Sequence, residues 1–132
     1  MNEHDKKTLL KIKQHALNIK EYSSKCFDCQ DFCENTMISD ACVFNLLQIG
    51  ELTNYSLSNE TKQQMSTVPW KEIYGMRNRI VHGYEQIDIH MIWSTIQNDI
   101  PVLIEEINKA LSDGNGDGIA SPTTRRSGGR GR

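Results

Sequence analysis

The sequence predicts an all-α fold, a four- to five-helix antiparallel bundle. Three observations support this. Apolar residues recur at spacings of three and four through the long segments, no segment shows the sustained alternation of a strand, and only three prolines interrupt the chain. The 132 residues are 37% hydrophobic and 24% charged, the balance of a globular domain and not of a disordered one. A chain of this length removes well over half of its unfolded surface from water, enough for one core.

From Asp5 to about Ser24, Leu9, Ile12, Ala16 and Ile19 form an apolar stripe that Leu10 and Leu17 widen, while Lys6, Lys7, Lys11, Lys13 and Lys20 fall elsewhere. The polar stretch CFDCQDFCENT follows as a connection. Met37 to Tyr55 is apolar nearly all round, through Ile38, Ala41, Cys42, Phe44, Leu46, Leu47, Ile49 and Leu52, so this helix is expected at the centre of the fold. Ser58 suits the cap of one or two short turns ending near Ser66. Pro69 suits a first helical position and opens PWKEIYGMRNRIVHGY, with Gly83 as its stop. The last helix runs from Asp88 to Leu111 on Ile89, Trp93, Ile96, Ile100, Leu103, Ile107 and Leu111, with a kink expected at Pro101. Residues 1–111 therefore read as one folded domain and 112–132 as a disordered Gly/Arg-rich tail.

The formal charge of −2 conceals two unlike pieces: 11 Lys and Arg against 15 Asp and Glu in residues 1–111, and four Arg against two Asp in the tail. A generally basic, nucleic-acid-coating protein is excluded, but a local cationic site is not. No apolar run approaches the roughly 20 residues of a membrane span, and MNEHDKKTLL lacks a signal-peptide core, so a cytoplasmic protein without membrane partners is expected.

The stretch MRNRIVHGY concentrates chemistry. It places Arg77, Asn78, His82 and Tyr84 within eight residues at a helix end, with Lys71 and Arg79 adding positive charge. Asn78 and His82, four apart, share a face, whereas Arg77 is about 140° from His82 and reaches it only by swinging its long side chain. Arginine offers a planar fork that matches phosphate oxygens and keeps its proton at any usable pH. Histidine titrates near neutrality and can take a proton from a 2′-hydroxyl or give one to a leaving 5′-oxygen. Such a pair suits a phosphodiester and needs no metal or cofactor. Taken by spacing alone, an Arg and a His near a helix end are more often a solvated rim or a capping pair.

With IGELTN and VPWKEIYGMRNRIVHGY, and with IHMIWSTIQNDIPVLIEEI after them, residues 5–110 resemble the HepT-like branch of the HEPN superfamily, whose Arg-x4-His-x-Tyr signature is matched by Arg77, His82 and Tyr84. The resemblance implies a homodimeric helical bundle acting as the ribonuclease toxin of a toxin–antitoxin pair, with a minimal nucleotidyltransferase (MNT) antitoxin that adenylylates the motif tyrosine. Carried onto this chain, Arg77 stabilises the RNA phosphate, His82 is the acid/base, Asn78 supports them and Tyr84 accepts AMP. A rival of another class is a non-catalytic subunit that binds nucleotide or substrate for the nucleotidyltransferase. The family often has an acidic residue where this chain has Gly83, and neither the cysteine-rich connection nor the tail belongs to its pattern.

Cys26, Cys29 and Cys33, with Cys42 beyond, supply enough thiols for zinc but lack the two-plus-two knuckle spacing, so reduced cysteines packed between helices are the expectation and no metal is assigned. Asp113 to Gly118 imitates the start of a calcium loop, yet Thr124 stands where a bidentate glutamate belongs, and a linker is expected. Arg125, Arg126, Arg130 and Arg132 offer only weak, salt-sensitive contacts to RNA. Trp70, Trp93 and Tyr74 are expected in the core or a dimer interface.

Overall fold

A computed structural model describes residues 1–116, and for side chains residues 1–113. The described residues form six α-helices and one 3₁₀ turn: α1 Glu3–Ser23, α2 Cys29–Glu34, α3 Thr36–Tyr55, α4 Asn59–Gln64, α5 Trp70–Gly83, the 3₁₀ turn Tyr84–Gln86, and α6 Ile89–Gly116. No strand occurs among them. The all-α bundle is as the periodicity predicts. α1 packs on α3 and α6, α3 also packs on α5, and α2 bridges α3 and α6.

Helix starts follow side-chain caps. The Asn2 side-chain Oδ1 accepts from the Asp5 N–H at 2.7 Å, Asn35 does the same for Ile38 at 3.1 Å, and Ser58 caps α4 through the Thr61 N–H at 3.2 Å. The core takes Leu9, Ile12, Ala16 and Ile19 of α1, Cys42, Leu46 and Ile49 of α3, and Ile96, Ile100, Leu103 and Ile107 of α6. Full burial of each large aliphatic side chain stabilises the fold by about 1.5–3 kcal/mol.

Four expectations need revision. The cysteine-rich connection is itself helical over α2, whose start Asp28 caps through the Asp31 N–H at 2.9 Å; six residues are too few to show a period. α3 is central but not enclosed, since Met37, Phe44 and Tyr55 are exposed at 83%, 57% and 65%. Leu10 and Leu17 likewise lie outside the core. α6 runs past Leu111 to Gly116, with Pro101 inside it. The remaining tail, 117–132, lies outside the described residues, as does most of the calcium-loop look-alike.

One polar cluster belongs wholly to the fold. Asp5 is 1% exposed and receives the Ser58 N–H at 3.1 Å, the Ser58 hydroxyl at 2.5 Å and the Thr61 hydroxyl at 2.6 Å, which ties the start of α1 to α4. Burial pushes this carboxyl up, but the hydrogen bonds from Ser58 and Thr61, helped by His4, outweigh it and hold it below the ordinary range.

Candidate active site on α5

α5 is fastened at its first turn by Trp70, whose indole N–H is shared between the carbonyls of Lys62 at 3.1 Å and Met65 at 3.0 Å. Ile73, Met76 and Ile80 are buried at spacings of three and four, so this face of α5 turns inward and packs on α3. The two helices approach tightly at Gly50. A Cβ there would lie 2.3 Å from the Arg77 Cβ, so only glycine lets the arginine seat at this point.

Arg77 is held from three sides. Its Nε donates to Glu51 Oε1 at 2.7 Å, its Nη1 donates to Asn78 Oδ1 at 2.9 Å, and the guanidinium stands 5.6 Å from the centroid of the Tyr55 ring. The Glu51 hydrogen bond keeps the guanidinium above its already high range, against a smaller opposing effect of burial, so the cation persists. Two of its N–H groups are engaged, and a guanidinium carries about five, so donors remain for an anion.

His82 lies in the last turn of α5 and is exposed. It borders a shallow pocket of about 370 Å³ with Met76, Arg79, Asp88 and Met91. Among the described residues no hydrogen bond joins it to Arg77 or Asn78. The structure therefore brings Arg77 and Asn78 together and leaves the imidazole open to solvent. Lys71 and Arg79 are exposed on the same helix.

Tyr84 opens the 3₁₀ turn, and its hydroxyl donates a short hydrogen bond to the Asp40 carboxylate on α3. That bond, then burial and the Asp40 charge, push the phenol above its ordinary range. Gly83 ends α5 as expected, but with φ −168°, extended backbone open to any residue.

On α3 the sequence marks Gly50 and Glu51, within IGELTN, as part of the family resemblance but gives no residue of that helix a role in the site. Asp40, Phe44, Gln48, Glu51 and Tyr55 recur every three or four residues, the signature of one helix face. That face was hidden because apolar residues surround it on the helix and because Phe44 looked like core. Trp93 packs on Phe32 with ring centroids 5.1 Å apart, and Trp70 is half-buried, as expected. Cys26 and Cys42 are buried, and burial with Cys26 nearby pushes the Cys42 thiol up to about 12. The four cysteines form no disulfide and do not gather; Cys29 and Cys33 instead meet His90.

The family model described as "Ribonuclease HepT-like" matches residues 12–110, which include Glu51, Arg77, His82 and Tyr84. The chain belongs to the HepT-like ribonuclease family. It is similar to a Methanocaldococcus jannaschii protein named "Putative RNase MJ1380", 33% identical over 108 residues that cover 81% of this chain and 97% of that one. A Caldanaerobacter subterraneus protein named "Putative RNase TTE0752" is 37% identical over 82 residues, 62% of this chain and 72% of that one. A Thermococcus cleftensis protein named "Probable ribonuclease HepT" is 30% identical over 92 residues, 69% of this chain and 81% of that one. No solved structure matches. In this HepT-like chain the family match spans most of α1 through α6, so the α3–α5 contact at Gly50 and Arg77 lies inside it.

Proposed function

We propose that this HepT-like chain is the ribonuclease toxin of a toxin–antitoxin pair, a cytoplasmic endoribonuclease that cuts RNA through Arg77 and His82 without a metal. The observation that carries the reading is the state of Arg77: a cation oriented by Glu51 and Asn78, with N–H donors left over, on the same helix as an exposed imidazole. Arg77 binds the non-bridging phosphate oxygens and stabilises the charge that builds on them. The 2′-oxygen attacks phosphorus, the bond to O5′ breaks, and a 2′,3′-cyclic phosphate remains. His82 takes the 2′-hydroxyl proton or gives one to O5′. Asn78 positions the guanidinium.

A homodimer fits the exposed apolar residues beside this site. Met37, Phe44 and Tyr55, at spacings of seven and eleven, share one face of α3, to which Asp40 holds the exposed Tyr84. Covering that face with a second copy sets two Arg77–His82 pairs near each other, so one imidazole serves as base and the other as acid. Among the described residues no helix is long and apolar enough to cross a membrane.

Regulation runs through Tyr84. Its Oη attacks the α-phosphorus of ATP held by an MNT-type nucleotidyltransferase antitoxin, pyrophosphate leaves, and the phenol proton passes to Asp40, which already accepts it in a hydrogen bond. The attached AMP puts bulk and negative charge two residues from His82 and repels RNA.

The test is cleavage of single-stranded RNA in EDTA, with helicity checked in the same buffer. Wild type is expected to leave cyclic phosphate ends, and His82→Ala to be about 10²–10⁴-fold slower. Equal rates in the two proteins, or nucleotide binding without scission, would favour the binding-subunit reading. After co-expression with the nucleotidyltransferase, the intact mass is expected to rise by whole AMP units, and Tyr84→Phe to abolish the increment.

A further inference from the structure

A second cluster of chemistry-bearing side chains lies on α2 and the start of α6. Cys29 and Cys33 are four residues apart on α2, so their thiols leave the same face of the helix. α6 packs against α2 and brings His90 to them. The two sulfurs and a ring nitrogen of His90 all lie within 4.8 Å of one another. Donors around a tetrahedral zinc, bound through sulfur at about 2.3 Å and nitrogen at about 2.0 Å, sit roughly 3.5–3.8 Å apart. The cluster needs only side-chain rotation, about an ångström of contraction, to meet that geometry.

The surroundings suit a cation. Asp88 Oδ1 accepts the His90 backbone N–H at 2.9 Å and lies 3.3 Å from His90 Nδ1, so a carboxylate backs the imidazole as it does behind many metal-bound histidines. Asp28 and Asp88 both act on Cys29 with negative charge. Two thiols and an imidazole are soft and borderline donors that select zinc over magnesium or calcium. His90 is exposed and both cysteines are half-buried, so a cation can enter from solvent.

We propose that Cys29, Cys33 and His90 form a zinc site that clamps α2 to the first turn of α6. Zinc displaces one proton from each thiol to solvent, binds both sulfurs and one ring nitrogen, and takes water in its fourth position. Cys26 and Cys42 take no part, being buried away from the cluster. The clamp fixes His90, six residues after Tyr84, and so anchors the far end of the segment that follows α5. Spacing among cysteines alone does not show this site, because its third ligand lies 57 residues beyond Cys33.

The test uses the full chain, reduced, stripped of metal and titrated with cobalt(II) as a spectroscopic stand-in. One cobalt per chain is expected to give thiolate charge-transfer absorption and the visible bands of a tetrahedral ion, both bleached by one equivalent of zinc. Cys29→Ser with Cys33→Ser is expected to abolish the bands. His90→Ala alters an exposed residue and leaves the fold intact; it is expected to weaken cobalt binding at least about tenfold. Cys42→Ala is expected to keep the full signal, and zinc to raise the melting temperature of wild type but not of His90→Ala. Absence of the thiolate band at one equivalent, a band undiminished in His90→Ala, or a Cys29–Cys33 disulfide formed in place of metal binding would overturn the proposal. None of these readouts depends on RNA cleavage.

Discussion

Asp5 and Arg77 are both charged side chains held by a neighbouring helix, and they are held in opposite ways. Asp5 is sealed at 1% exposure, and three donors from Ser58 and Thr61 occupy its two oxygens. Arg77 also reaches across helices, to Glu51, yet its side chain is 15% exposed and only two of its N–H groups are engaged. A charge sealed from solvent, with both oxygens engaged inside the protein, serves the fold. A charge that is oriented but left with donors to spare is arranged for a ligand. His82 carries the contrast further, exposed and joined by no hydrogen bond to either motif partner among the described residues.

Substitution at Arg77 should break the comparison most sharply. Arg77→Lys keeps the positive charge but removes the planar fork that meets Glu51 and Asn78 together. RNA cleavage is expected to fall about 10²–10³-fold while helicity is retained. Wild-type cleavage by Arg77→Lys would mean that only net charge matters and that the bracing by Glu51 is incidental.

The matching change at Asp5 acts on stability alone. Asp5→Ala leaves Ser58 and Thr61 without their acceptor and is expected to cost about 1–3 kcal/mol in urea denaturation, with cleavage per folded molecule unchanged. The pH dependence follows from the direction of its shift. Burial raises the Asp5 carboxyl, but the hydrogen bonds from Ser58 and Thr61 prevail and its folded value lies below its unfolded one. Its contribution is therefore full above the unfolded value of about 3.9 and is lost as pH falls through the folded value. The urea midpoint of wild type is expected to drop on acidification below about pH 4 more steeply than that of Asp5→Asn.

The difference between the two clusters also governs what the sequence discloses. The helices were legible because apolar spacing along a chain is a local signal, and the 16 residues from Pro69 to Tyr84 carry the whole Arg-x4-His-x-Tyr pattern. Ser58 was legible as a cap because it precedes its helix directly. Its second role, holding Asp5 across 53 residues, was not. The same holds for Asp40, 44 residues before Tyr84, and for His90 opposite Cys29 and Cys33. Each of these pairings depends on which helices pack together, and side-chain periodicity names the buried face without naming the neighbour it meets. Phe44 shows the converse limit: hydrophobicity marked it as core, and the fold leaves it on the surface beside the site.

The smallest effect belongs to the glycine that stands between the two last motif residues. Gly83 separates His82 from Tyr84, and a glycine there suggests a backbone that no other residue could adopt. Its φ of −168° is ordinary extended backbone, and an added Cβ would meet only Gln86 side-chain atoms at 4.0 Å. Gly83→Ala is therefore expected to change stability by no more than about 0.5 kcal/mol and to leave RNA cleavage within about twofold of wild type. The contrast with Gly50 is the point of the measurement, since there a Cβ would strike the Arg77 Cβ at 2.3 Å. A large loss at Gly83 would mean that the turn after His82 must move through left-handed backbone during catalysis. The unattached imidazole would then be the mobile half of the site, working against the fixed cation of Arg77.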